Sequence, residues 1–363
     1  MKKHVSLILS LVLLIVTIFI PEAAANDIKF GKGKGDNATI SSLEDAENVI
    51  GSAIYLLSST EKGQQGYDSL SLSFERDCRI NFSMSGAGKS SSSTMSLKNS
   101  NTYYISKNGD MYITCTGILS NSSSSSDHSS SNQEDTDFSA SSFMDFDAEM
   151  YISIENEEAY IKISRLEMVA NGTIIPTQIK TLITNKWIDL DATDGLGLDS
   201  LVSTMTSSNL KYMALLDEYI SAGLEGDGFN KNGSKYEMSS SLFEDFVVDC
   251  MKLVVGSTPF EIETSGEFEL DLSKSKAPKI DIEVKYDFPT SYENRVPNYS
   301  NGNYFNPTYE TQTYNISSTG SYERLSYQFY NIDNTVVEFD VDKKDIYGLE
   351  DLEDLAKELG LED

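Results

Sequence analysis

The chain has 363 residues, and its 28 Lys and Arg are outnumbered by 57 Asp and Glu, for a formal net charge of −29. A surface of that sign repels phosphate, because bringing phosphates near it raises the Coulomb energy, so nucleic acid and anionic headgroups are excluded as electrostatic partners. His4 and His128 are its 2 histidines, so Ser-His or Cys-His nucleophile activation and histidine-ligated zinc lose their usual base and ligand.

Met1-Lys2-Lys3 precedes an apolar run from Val5 to Ile20, then Pro21, Glu22 and the small residues Ala23 to Ala25. This order predicts a signal peptide over residues 1–25, cleaved near Ala25. The run, about 16 residues, is shorter than the roughly 20 a bilayer-spanning helix needs. The first cysteine is Cys78, too far on to carry a lipid, and the chain ends on the acidic stretch Glu350 to Asp363 rather than a hydrophobic sorting tail. The expected product is a secreted, extracytoplasmic protein of the cell envelope with no transmembrane segment after cleavage. Residues 26–40, with a Gly- and Lys-rich stretch from Gly31 to Gly35, read as a flexible lead.

Ser41 or Ser42 caps an expected helix from Leu43 to Ser59, on which Val49, Ile50, Ala53, Ile54 and Leu57 recur at helical spacing. From Tyr67 the period switches to two: Leu70, Leu72 and Phe74, then Ile80, Phe82 and Met84. Asn108-Gly109 predicts a two-residue hairpin in which Tyr104 faces Ile113. Residues 117–142 are serine-rich and acidic, with too little apolar area to offset ordering, and are expected to be a disordered insert. Strands resume at Met150, Ile152 and Ile154, return through Ile161 and Ile163, and continue in Lys186 to Leu190.

Two helices follow, from Ser200 to Ala222 and from Ser241 to Gly256, the second opening on a Ser241/Glu244 capping box. Strands return at Phe260 and Ile262, at Phe268, Leu270 and Leu272, and at Ile280, Ile282, Val284 and Tyr286. A loop rich in Tyr, Asn and Pro spans Pro289 to Asn315, after which Leu325, Tyr327, Phe329 and then Val337, Phe339, Val341 close the sheet. Residues 342–363 form an acidic tail with a short helix marked by Leu349, Leu352, Leu355 and Leu359. Helix, strands, helices, strands with short antiparallel connections is α+β. The expectation is one domain over residues 41–341, built on a curved antiparallel, half-barrel-like sheet with an N-terminal helix and further helices covering its concave face. Cys78 and Cys115 lie on predicted strands, where a cross-strand bridge and three buried free thiols, Cys250 included, are both open.

Ala159-Tyr160-Ile161-Lys162-Ile163 after a charged turn and Lys186-Trp187-Ile188-Asp189 downstream carry a resemblance. With the layout of elements, they make the chain similar to the half-barrel carriers of the bacterial envelope, the LolA-like lipoprotein carriers and the LppX/LprG-like lipid carriers. The chain departs from the latter in lacking a lipobox cysteine. The resemblance implies an apolar groove between sheet and helices that shelters an acyl chain or lipoprotein anchor. The groove candidates are Met205, Met213 and Leu216 on one inner helix and Phe243, Phe246, Cys250 and Met251 on the other.

The reading is therefore a non-catalytic protein without cofactor or metal that binds or carries a lipid- or lipoprotein-like ligand. A second reading is a surface-interaction or carbohydrate-binding module that uses Tyr292, Tyr299, Tyr304, Tyr309 and Tyr314, amphipathic rings suited to sugar faces or a cell-wall partner. A third is a structural envelope protein without ligand. Asp189, Asp191, Asp194, Gly195, Gly197 and Asp199 invite comparison with a calcium loop, but the third acid is displaced and Ser200 stands where the bidentate glutamate belongs. The segment is read as a strand exit and helix cap.

Overall fold

The computed structural model describes residues 28–361 except 33–37, 59–66, 87–88, 128–135, 154, 157, 191–197, 256–262, 274–277, 288–290, 299–307 and 319. The expected signal peptide, both histidines and most of the calcium-loop segment lie outside the described residues.

Helix α1 (Leu43–Ser58) starts where the sequence places it. The Asp45 carboxylate accepts the backbone N–H groups of Ser41 and Ser42 at 2.9 and 3.0 Å, and the Asp45 N–H donates back to the Ser42 hydroxyl at 3.1 Å. This reciprocal arrangement meets donors that an open helix end leaves unpaired. Val49, Ile50, Ala53 and Leu57 are buried on its inner face.

The strands in chain order are β1 (Ile28–Lys32), β2 (Leu70–Gly86), β3 (Lys89–Ile105), β4 (Met111–Asp127), β5 (Thr136–Ser153), β6 (Glu158–Ala170), β7 (Thr173–Ile174) and β8 (Trp187–Asp189). They continue with β9 (Phe229–Asn232), β10 (Lys235–Met238), β11 (Glu263–Asp271), β12 (Lys279–Asp287), β13 (Ser291–Asn298), β14 (Thr308–Ser317), β15 (Ser321–Tyr330), β16 (Thr335–Phe339) and β17 (Ile346–Tyr347). The other helices are α2 (Thr177–Ile183), α3 (Leu198–Leu224), α4 (Ser240–Val255) and α5 (Leu349–Glu358).

A 15-stranded sheet runs in the order β17-β8-β6-β5-β4-β3-β2-β15-β12-β11-β10-β9, with β7 beside β6 and the β13-β14 hairpin joined to β2. Its two ends do not pair, so it is unclosed, and its named strand pairs are antiparallel apart from β17 with β8. The class is mixed α+β, as the order of periodicities requires.

Register fixes which residues share a face. Leu72 pairs with Tyr103, Tyr103 with Ile113, Ile113 with Met150 and Met150 with Ile161, and all five are buried in one core with α1, α3 and α4. One step along, Tyr104, Tyr112, Tyr151 and Tyr160 form a row on the opposite face. That face carries a second cluster with Trp187 and Val337, into which the Phe339 ring stacks at 4.4 Å from Tyr151 and 5.0 Å from Tyr160. Both faces are thus apolar here, and polar alternation fails where a second layer covers the sheet.

Several expectations are corrected. Strand β16 does not close the large sheet; it pairs with β1 as a separate two-stranded ribbon, and β1 turns part of the supposed flexible lead into strand. The β3-β4 hairpin closes through Ser106–Asp110, with Gly109 at φ +89°, so Tyr104 faces Tyr112 rather than Ile113. A longer loop ending on a left-handed glycine shifts the pairing by one residue.

The serine-rich insert is also strand on both sides of residues 128–135. Ser90 meets Ser126 at 2.7 Å and Ser92 meets Ser124 at 2.8 Å, hydroxyl to hydroxyl. The packed inner halves of β3, β4 and β5 set the register, so each outer pair adds hydrogen bonds without closing a new long loop. Helix α4 begins at Ser240, where the Phe243 N–H donates to the Ser239 carbonyl, so Ser241 is inside the helix rather than its cap.

All three cysteines are free and buried. Cys78 pairs with Leu97 and Cys115 with Asn101, so β3 runs between them. Two strand spacings, about 10 Å, exceed the reach of a disulfide.

At Gly266 on β11 an added Cβ would lie 1.8 Å from the Glu283 carbonyl oxygen of β12. Backbone occupies that space, so Gly266→Ala must push the two strands apart. The expected loss is about 1–3 kcal/mol, measured as a lower denaturation midpoint.

Candidate functional site

A cleft of about 1010 Å³ is lined by parts of β2, β3, β4, β11, β12 and β15 and by the start of α4. Its charged lining includes Glu75, Asp77, Lys98, Glu283 and Arg324, and Met238, Phe243, Phe268, Ile282 and Leu325 bring apolar surface to the same space. Ile118, also in the lining, is 44% exposed, while those five are buried. Arg324 donates to Glu283 at 2.8 Å, and the Lys98 ammonium is 3.1 Å from Asp77, so the basic groups of this rim are paired.

Arg76 leads from the cleft into the core. On β2 the inward positions run Leu70, Leu72, Phe74, Arg76, Cys78, and opposite them on β15 stand Phe329, Tyr327, Leu325 and Glu323. A half-buried guanidinium and a buried carboxylate therefore meet diagonally across the two strands, beside a hydrophobic lattice. The Arg76 Nη2 is 2.5 Å from the Glu323 Oε1, and the Tyr286 hydroxyl of β12 donates to the Glu323 Oε2 at 2.7 Å. The pairing is what makes both charges tolerable there.

Tyr212 of α3 comes over this pair, with its ring centre 5.9 Å from the Arg76 Cζ. Cys78 is held protonated, its thiol pushed up to about 11 by burial and by the nearby Glu323 charge. Burial raises the Tyr212, Tyr286 and Tyr327 phenols as well, with the Glu323 carboxylate adding to each shift. Four side-chain groups of this cluster have no hydrogen-bond partner: the Arg76 Nε, the hydroxyls of Tyr212 and Tyr327, and the Glu323 Oε1, whose contact with Arg76 is an ion pair alone.

Of the sequence-predicted groove residues, Met213, Leu216, Phe243, Phe246 and Cys250 are brought together and buried in the main core. Phe243 alone of these reaches the cleft. Met205 and Met251 stand on α3 and α4, but their side chains lie outside the described residues. The expected Tyr/Asn loop is largely the β13-β14 hairpin, in which Tyr292 pairs with Tyr314 and Tyr309 with Pro297. Strand β13 pairs with β14 alone, and such an edge accommodates Pro297, which has no N–H to donate. Tyr299 and Tyr304 lie outside the described residues, as do the side chains of Tyr292, Tyr309 and Tyr314.

Sequence reasoning missed Arg76, Tyr212, Tyr286, Tyr327 and Glu323 as a group. The signal was present: a period-two strand that continues inward onto a charged residue needs a counter-charge, and both β2 and β15 do so.

Among the described residues no group of three His, Cys, Asp or Glu side chains is placed to hold a metal ion, and no helix is long and apolar enough to cross a membrane. No family model and no curated protein matches the chain.

Proposed function

We propose that the chain is a non-catalytic exported protein of the cell envelope that binds or carries an apolar-tailed, lipid- or lipoprotein-like ligand. In this reading its sheet is bent like those of the LolA-like and LppX/LprG-like half-barrel carriers, with α1, α3 and α4 on the concave side. The observation that carries it is the cleft, where apolar surface from Met238, Phe243, Phe268, Ile282 and Leu325 meets a charged rim in about 1010 Å³. Ligand sites combine such a volume with apolar walls and polar groups that fix orientation; this one is richer in polar and charged lining than most, which suits the headgroup end of an amphiphile. Met213, Leu216 and Phe246 fill the core themselves, so the ligand is placed beside α4 rather than between the helices.

The test is lipid extraction and mass spectrometry of the native purified protein, compared with Ile118→Asp. Ile118 is exposed, so the fold tolerates the change, while a carboxylate in the cleft removes apolar contact. The variant is expected to lose about tenfold in bound amphiphile, the equivalent of one apolar side chain. An empty wild-type protein, or equal loads in both, sinks the reading. A second reading uses the β13-β14 hairpin, on whose strands Tyr292, Tyr309 and Tyr314 stand, as a surface-binding module. There, deleting residues 292–314 abolishes pull-down on polysaccharide or cell wall from a protein that carries no lipid.

A further inference from the structure

The cleft borders a polar centre at Arg76 that leaves several buried hydrogen-bonding groups unmet. Resting on the reading of the cleft as an amphiphile site, the geometry points to a donor site for an uncharged acyl-ester carbonyl, formed by the Arg76 Nε and the hydroxyls of Tyr212 and Tyr327.

Four observations support the assignment. The three donors are unpartnered, and Tyr212 and Tyr327 are only 8% and 1% exposed, so water does not satisfy them from the surface. Groups buried in this way are destabilising unless an acceptor arrives. They are also neighbours: Leu325, which pairs with Arg76, is two residues from Tyr327, and Tyr212 covers Arg76 from α3. Electrostatics agree, since Tyr327 feels Tyr212 and both feel Arg76 and Glu323. Finally, Arg76 lines the cleft, with Tyr212 and Tyr327 behind it, so a ligand in the cleft meets Arg76 first.

The charge balance selects the ligand class. Glu323 already meets the Arg76 guanidinium at 2.5 Å, so the pair is neutral, and an entering carboxylate or phosphate would face Glu323 with no cation left to offset it. The Glu323 Oε1 has its charge offset by Arg76, so what remains to be met is the three donors, not a charge. An ester offers a carbonyl oxygen with two lone pairs and a second oxygen beside it, while its acyl chain follows Phe243 and Phe268. Both phenols stay protonated because burial raises their pKa values, so they remain donors at every physiological pH.

Two probes of equal chain length separate the possibilities: monopalmitoyl glycerol, which has the carbonyl, and the hexadecyl ether of glycerol, which lacks it. Binding is measured to the full chain, to Tyr212→Phe/Tyr327→Phe and to Ile118→Asp. The wild type is expected to prefer the ester about tenfold. The double phenylalanine variant, which deletes only unpartnered hydroxyls and keeps its fold, binds both probes with the affinity of the ether. Ile118→Asp loses both equally and keeps the preference. If the wild type binds ester and ether alike, the hydroxyls serve only ordered water and the donor site is wrong, while the cleft reading stands. If neither probe binds, the cleft reading itself fails.

Discussion

Replacing Glu323 with alanine is expected to lower the stability of the fold by about 3 kcal/mol, at the low end of the range for removing one member of a buried ion pair. The carboxylate side chain is 6% exposed and Arg76 is 23% exposed, so the orphaned guanidinium has partial but poor access to water. Most of the loss comes from that uncompensated charge and from the Tyr286 hydroxyl left without its acceptor, rather than from the attraction itself. The sharper test is the double replacement Arg76→Met/Glu323→Leu. Filling the same lattice positions with apolar groups brings the urea midpoint back to that of the wild type or above it, because the desolvation of both charges is removed together. A Glu323→Ala protein as stable as the wild type would show that the pair is solvated.

Phe246→Ala is expected to cost about 3–5 kcal/mol, as for other large-to-small changes of fully buried aromatic residues. Its ring is 5.4 Å from that of Tyr219 and 6.4 Å from those of Phe243 and Phe268, so the cavity opens at the junction of α3, α4 and β11. Val248, on the same helix but 49% exposed, provides the control: Val248→Ala stays within about 0.5 kcal/mol of the wild type. This contrast separates packing from ligand binding. A drop in bound lipid in a Phe246 variant reports a damaged core, whereas the same drop in Ile118→Asp, with an unchanged denaturation midpoint, reports the cleft.

The candidate site was partly legible. Alternation on β12 divides a core face, with Ile280, Ile282 and Val284 buried, from a wet face carrying Asp281 and Glu283, and Ile282, Asp281 and Glu283 line the cleft. The inner helices were placed well, and Met213, Leu216, Phe246 and Cys250 do share one interior. Whether that interior is open or filled was not encoded in their spacing, since a groove wall and a core require the same apolar faces. Arg76 and Glu323 are distant in sequence, and their partnership exists only because β2 lies beside β15.

The serine segment shows the same division. Composition alone says that residues 117–142 have little to bury, which is true of the isolated segment. Residues 120–127, however, pair with the equally serine-rich start of β3 and residues 136–142 with β4, so the ladder meets their backbone groups and serine hydroxyls of β3 and β4 meet each other with little apolar burial. The turn at Gly109 was located correctly, yet one residue of loop length moved Tyr104 from Ile113 to Tyr112 and so assembled the tyrosine row under Phe339.

By itself the sequence determined what is local: the start of α1 through its caps, the strands through period two, the α+β class and the strongly acidic surface. Each depends on contacts within a few residues or on composition. Tertiary structure alone decided which strands became neighbours, which charges met in the core and where space remained between sheet and helix. Those outcomes depend on pairing between segments hundreds of residues apart, for which neither strand carries a record of its partner.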